Sequence, residues 1–111
     1  MINQLRIYEI PESNAGPFHD RFRDQACPIF ERHGFRILAM WESRKEDKVF
    51  FVYLLAWRNE DELRSCWEKF MADEEWAEIK RATAAKHGNF VNGIDEFVLA
   101  PTEYSQALGD V

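Results

Sequence analysis

Cysteine, glycine and proline are all scarce in this 111-residue chain, and with only five glycines and four prolines a loop-rich chain is excluded. Two cysteines, Cys27 and Cys66, stand far apart and without CxxC spacing, so in a reducing compartment they read as two buried thiols. Five isolated glycines form neither GxGxxG nor GxxxxGKS/T, which removes the phosphate-cradling loops of nucleotide-dependent enzymes, and no GxSxG nucleophile elbow is present. The three histidines make no His-x3-His pair and no HExxH, so no metal is expected, and nothing points to another cofactor. Positive charge is also short: 14 basic against 20 acidic residues leave a formal charge of −6, which argues against a nucleic-acid or anionic-membrane partner. No apolar run approaches the roughly 18 residues a membrane helix needs, and MINQLRIYEI lacks the basic flank and small-residue cleavage site of a signal peptide. The expectation is a cytoplasmic protein, one domain over residues 1–111, large enough for a single core.

What the chain does have is aromatic and aliphatic residues in readable periods. Ile2 to Ile10 predicts a strand with Leu5, Ile7 and Glu9 on one face and Arg6, Tyr8 and Ile10 on the other. Pro17 suits a first helical turn, and Phe18, Phe22, Ala26, Ile29 and Phe30 then follow on one stripe of a helix that stops at His33–Gly34. Pro28 should kink or divide that helix. Phe35 to Ser43 predicts a second strand, and the polar run Arg44 to Lys48 a hairpin connection. Asn59 with Glu62 is a capping-box pattern ahead of the stripe Leu63, Cys66, Trp67 and Phe70. Asp73 then opens a second acidic first turn and a stripe of Trp76, Ile79 and Thr83 that ends at His87–Gly88, so a bent or two-piece helix is expected. Ile94 to Ala100, closed by Pro101, predicts the last strand.

Between the two central turns lies KVFFVYLLAW, whose residues Val49 to Trp57 are apolar without interruption. A strand with one wet face alternates, whereas this one offers apolar groups to both sides of its sheet. The order β-α-β-β-α-β is the split βαβ, or ferredoxin-like, α+β arrangement, a four-stranded antiparallel sheet with the helices on one face. The helices cover one side of Val49–Trp57. The simplest cover for the other is a second copy, two sheets meeting face to face to close a barrel.

The stretches LRIYEI, HGFRILAMWE and VYLLAW, the spacing of Trp67, Phe70, Asp73 and Trp76 in CWEKFMADEEW, and the ending FVLAPTEYS resemble the NIPSNAP family of the dimeric α/β-barrel superfamily, from Leu5 to Ser105. The resemblance implies the ferredoxin-like fold and the homodimeric barrel already reached from the pattern. It implies no reaction, because the family has no agreed catalytic residues to carry over. Some animal members are associated with mitochondria and protein trafficking, a role not transferred to a chain with one copy of the domain and no leader. Related barrels include cofactor-free monooxygenases of aromatic polyketides, haem-degrading enzymes and small isomerases, so one fold hosts several chemistries and the reaction has to be read from a site.

The residues themselves nominate a site. Arg6 and Tyr8 share a strand face, and Trp41, Glu42, Tyr53 and Trp57 come from the central hairpin. An aromatic cavity with one cation and one phenol could hold a planar or carboxylate-bearing ligand. A one-residue slip of the hairpin exchanges its faces, so the same aromatics could instead pack the core or a dimer interface. His19, with Arg23 four residues on, could reach a cavity mouth as a general base, or be a partly exposed helix residue. His33 and His87 precede helix-ending glycines, where a partial positive charge favours the dipole, and the acidic helix starts need no partner either. Three readings follow: a homodimeric barrel binding a small ligand, a cofactor-free monooxygenase or isomerase, and a protein-interaction module with a filled core.

Overall fold

The computed structural model describes residues 1–108. Strand β1 (Ile2–Ile10) leads through a 3₁₀ turn (Glu12–Asn14) into α1 (Ala15–Arg21), a π turn (Phe22–Ala26) and α2 (Cys27–Arg32). The hairpin of β2 (Arg36–Lys45) and β3 (Lys48–Trp57) follows, then α3 (Glu60–Met71), α4 (Glu74–His87) and β4 (Gly93–Leu99). The strands lie in the order β2-β3-β1-β4 and every neighbouring pair is antiparallel, which is the ferredoxin-like topology expected from the element order.

Each helix forms and stops for a local reason. The stripe Phe18, Phe22, Ala26, Ile29 and Phe30 is buried throughout, so the first helical segment is held by its apolar face. Pro28 divides it: the ladder widens into the π turn just before α2, and Pro28 sits at the start of α2, where its missing N–H is not called on. Gly34, at φ +84°, then turns the chain out of the helix, with the Phe35 N–H donating to the Phe30 carbonyl at 3.0 Å. Asn59 caps α3 by accepting from the Glu62 N–H at 2.9 Å, and Asp73 caps α4 by accepting from the Trp76 N–H at 3.0 Å. The expected two-piece helix is therefore two helices, each with its own cap.

Two expectations change. The polar run Arg44–Lys48 is not a loop: Arg44 and Lys45 continue the ladder opposite Val49 and Lys48, and only Glu46 and Asp47 turn. Both have positive φ, 53° and 63°, the left-handed conformation that lets two residues reverse a twisted hairpin. The two thiols are half-buried and free, not sealed in the core.

Register decides which side chains meet. Ile37 pairs with Leu55 but Ala39 pairs with Leu54, so Leu38 is an extra residue, a β-bulge in the edge strand. Beyond it Met40, Glu42 and Arg44 fall opposite Tyr53, Phe51 and Val49, on the helix-covered side with Gln4, Arg6 and Tyr8 of β1. That side holds the core: Tyr53, Leu55 and Trp57 are fully buried beneath Phe22, Phe30, Phe35 and Phe70. The opposite side carries Leu5, Ile7, Val52, Leu54, Trp41 and Phe97, with the last two about half exposed at 51% each. One end of it is roofed, where Ala56 and Leu38 border a cavity shared with Pro101 and Leu108 of the C-terminal segment.

Candidate functional site

The nominated residues separate into two groups. In the first, strand pairing sets Arg6 opposite Tyr53 and Tyr8 opposite Phe51, so the three polar ends converge under the helices. The Tyr8 and Tyr53 hydroxyls are 2.6 Å apart, and Arg6 Nε donates to Tyr53 at 3.1 Å while Nη2 donates to Tyr8 at 3.2 Å. The guanidinium also lies 4.4 Å from the Trp67 ring centroid and 3.4 Å from a Glu96 carboxylate oxygen. Burial works against the charge on Arg6, yet the two phenols outweigh it and raise its pKa above the ordinary arginine value. Burial pushes the Tyr53 phenol well above its usual range, with the neighbouring Tyr8 adding to the shift and Arg6 opposing it.

Gln4 and Trp67 complete this network; sequence reading passed over Gln4 and placed Trp67 only in the apolar stripe of α3. The fully buried Gln4 side chain accepts from Trp57 Nε1 at 2.9 Å and Trp67 Nε1 at 2.8 Å, while its own amide donates to Glu96. Trp57 is thus a core residue whose indole is satisfied by Gln4. Gln4 was discoverable: strand parity puts it on the Arg6–Tyr8 face, and a polar residue on an inward stripe needs partners. Among the described residues no buried side-chain nitrogen or oxygen is left without one.

The second group faces open space. His19 on α1 and Glu42 on β2 meet at 2.9 Å, Nε2 to Oε1, beside a cavity of about 400 Å³ walled by Phe22, Met40, Phe51 and Cys27. Both side chains are about one-third exposed, 37% and 34%. The hydrogen bond from His19, reinforced by Arg44, holds the Glu42 carboxyl below the usual carboxylate range. Trp41 also borders this cavity, although it pairs with Val52 on the other side of the sheet, so it stands at the rim of the edge strand. Arg23 lines the cavity too, as its spacing from His19 predicts, but its guanidinium is held by Asp24 at 2.8 Å and Asp20 at 3.2 Å. Burial raises the Cys27 thiol, which makes it a poor nucleophile here.

The two groups are separated by rings. Phe51 lies 5.7 Å from His19 and 5.5 Å from Tyr53, and Phe22 lies 5.3 Å from Tyr53, so an aromatic wall stands between the cavity and the buried phenols. The irregular backbone clusters around the cavity: the π turn begins three residues after His19, and the Leu38 bulge precedes Glu42 by four. Such insertions re-aim side chains at sites more often than elsewhere. Chemically, a histidine oriented by a carboxylate can accept a proton from a ligand lying against Phe22 and Phe51. No group of histidine, cysteine and carboxylate side chains suited to a metal ion occurs among the described residues.

Comparison with known proteins sets this geometry among relatives. A sequence profile of the NIPSNAP family matches residues 3–106. Among solved structures, an uncharacterized NIPSNAP-like domain protein from Burkholderia xenovorans superposes with a TM-score of 0.80 at 18% identity, over 97% of this chain and 90% of that one. A NIPSNAP family protein of unknown function from Agrobacterium tumefaciens gives 0.80 at 15% identity, over 95% and 91%. A Streptomyces coelicolor monooxygenase, in complex with nanaomycin D, gives 0.59 at 14% identity, over 96% and 91%. At these identities the likeness is one of fold, and no curated protein matches the sequence. With nearly the whole of its length matched and the ferredoxin-like topology in place, this chain belongs to the NIPSNAP family.

Proposed function

We propose that this NIPSNAP protein is a homodimeric barrel that binds a small aromatic ligand carrying an acidic O–H, with His19 and Glu42 at the binding cavity. The observation that carries this reading is the 2.9 Å His19–Glu42 pair beside an aromatic-walled space of about 400 Å³, a size suited to a small molecule. Of the two ligand chemistries raised by the sequence, a carboxylate is the weaker fit. Glu42 would repel it, Arg23 is taken by two aspartates, and Arg6 is ringed by phenols and Glu96. A phenol or enol suits the pair, since the imidazole accepts its proton and the rings pack its body.

The same pair supports a second reading, a cofactor-free monooxygenase or isomerase in which His19, oriented by Glu42, removes a proton from the substrate. The homodimer rests on the uncovered sheet face, where Leu5, Ile7, Val52, Leu54, Trp41 and Phe97 form one apolar surface, and on β4, which is exposed along its whole length.

Native mass spectrometry of the freshly purified chain tests both halves. The expected species is twice the 13.2 kDa chain mass, and Phe97→Glu should return it to the monomer. Titration with 1-naphthol, followed by isothermal calorimetry, should give saturable binding that His19→Ala abolishes while folding stability changes by less than about 1 kcal/mol, as for an exposed pair. A bare monomer, or no response to any aromatic phenol, would instead favour an interaction module.

A further inference from the structure

Arg21, the last residue of α1, is a cation without an anion. Its guanidinium carbon lies 5.0 Å from the Trp76 ring centroid and 4.7 Å from that of Phe90. Among the described residues it forms no ion pair, whereas the adjacent acids Asp20 and Asp24 are both held by Arg23, at 3.2 Å and 2.8 Å. Burial lowers its pKa below the ordinary arginine value, and the Tyr8 phenol offsets this only in part. Aromatic faces stabilise such a charge but accept none of its five N–H groups in the way an oxyanion does.

Space and further positive charge adjoin it. A depression of about 460 Å³ between α1 and α4 is bordered by Arg21, Gln25, Thr83 and Lys86, and another of about 280 Å³ by Arg21, Lys80 and Thr83. Phe90 borders both, and neither shares a lining residue with the His19–Glu42 cavity. Asp20 and Asp24 border the larger one as well; Arg23, which pairs with both, offsets one of their two charges, and Arg21 and Lys86 outweigh the other. Lys80 and Lys86 have no carboxylate partner among the described residues. Lys86 and His87 complement the C-terminal end of the α4 dipole, but that role leaves Arg21 and Lys80 unexplained.

We propose that Arg21, with Thr83, Lys80 and Lys86, binds the phosphate group of a small phosphorylated molecule. A carboxylate would be satisfied by the guanidinium fork alone. The three terminal oxygens of a phosphate monoester also engage the Thr83 hydroxyl and the lysines, which are point charges on flexible stems. The larger depression exceeds the space of a bare ion, and the Phe90 ring offers an apolar wall for the organic part.

Isothermal titration calorimetry of the full chain, with orthophosphate and with phenyl phosphate at matched chloride ionic strength, tests this site independently of the His19 cavity. Both probes should bind saturably, phenyl phosphate more tightly. Arg21→Met should weaken binding at least tenfold, and the milder Thr83→Val and Lys86→Gln about threefold each. Arg81→Gln, which alters an exposed pair with Glu78 on the same helix, should leave binding unchanged. Circular dichroism checks that Arg21→Met is folded; where it is not, the two milder variants decide. Absence of saturable heat beyond chloride, or wild-type affinity in the milder variants, overturns the site. Equal affinity for the two probes overturns the organic part and leaves a site for the free anion.

Discussion

Tyr8 and Tyr53 share a 2.6 Å hydrogen bond between neighbouring strands, and Arg6 reaches both hydroxyls. Tyr53→Phe keeps the ring in its place and removes one acceptor from Arg6 and one partner from Tyr8. Urea denaturation should show a loss of about 1–2 kcal/mol, the usual cost of an interrupted buried hydrogen bond. In a double-mutant cycle with Tyr8→Phe the two losses should not add, because one bond serves both residues.

Gln4 accepts from two indoles at once, so Gln4→Leu leaves both Trp57 and Trp67 without an acceptor. A loss of about 2–4 kcal/mol is expected, from one fully buried and one half-buried donor at the usual penalty for each. Tryptophan fluorescence should shift with it, and stability within about 0.5 kcal/mol of the wild type would mean that water replaces the amide oxygen.

Asp73 joins α2 to α4: Oδ2 meets His33 Nε2 at 2.8 Å and Arg32 at 2.6 Å while Oδ1 caps Trp76. The hydrogen bond from His33 is the largest of the influences that hold its carboxyl well below the usual range, followed by the Trp76 N–H and Arg32. A depressed folded pKa stabilises the fold fully above the unfolded carboxylate value, about 4, and that contribution is lost as pH falls through the folded value. Glu62, held at about 2 by the Arg58 N–H and by Arg36, contributes with the same sign. Urea midpoints should therefore fall on acidification below about pH 5. Asp73→Asn should give a shallower acid limb, and an unchanged limb would show that Asp73 does not contribute to it.

The two-residue turn offers an opposite result. Glu46 and Asp47 both hold positive φ without being glycine. Replacing them with Asn-Gly supplies the residues that favour this turn and should raise stability by about 1 kcal/mol, visible as a melting temperature several degrees higher.

Much of the fold was legible in the sequence because the determining signals are local. Asn59 and Asp73 announce their helices as caps, Gly34 and Gly88 end theirs, and the stripe from Phe18 to Phe30 is buried as spaced. The site was less legible because it depends on an inserted residue. Unbroken alternation from Ile37 would carry Trp41 to the helix side. The Leu38 bulge instead sends Trp41 opposite Val52 and brings Glu42 over Phe51, toward His19. That His19 meets Glu42, 23 residues away, is a product of topology, and no spacing rule reports it. Gln4 was legible by parity as a polar residue on an inward stripe, but that its partners are two indoles from β3 and α3 is again a product of topology.

The bulge at Leu38 and the π turn at Phe22–Ala26 also bear on how this chain tolerates changes in length. Each is a slip joint: removing one residue there restores a regular strand or helix and leaves the pairing on either side in place. A deletion elsewhere in β2 would have to be taken up at Leu38 or would reverse the facing of Glu42. Homologues shorter by one residue at either joint should therefore keep the contact between α1 and β2, while those shortened at other points of the same elements should have exchanged its residues.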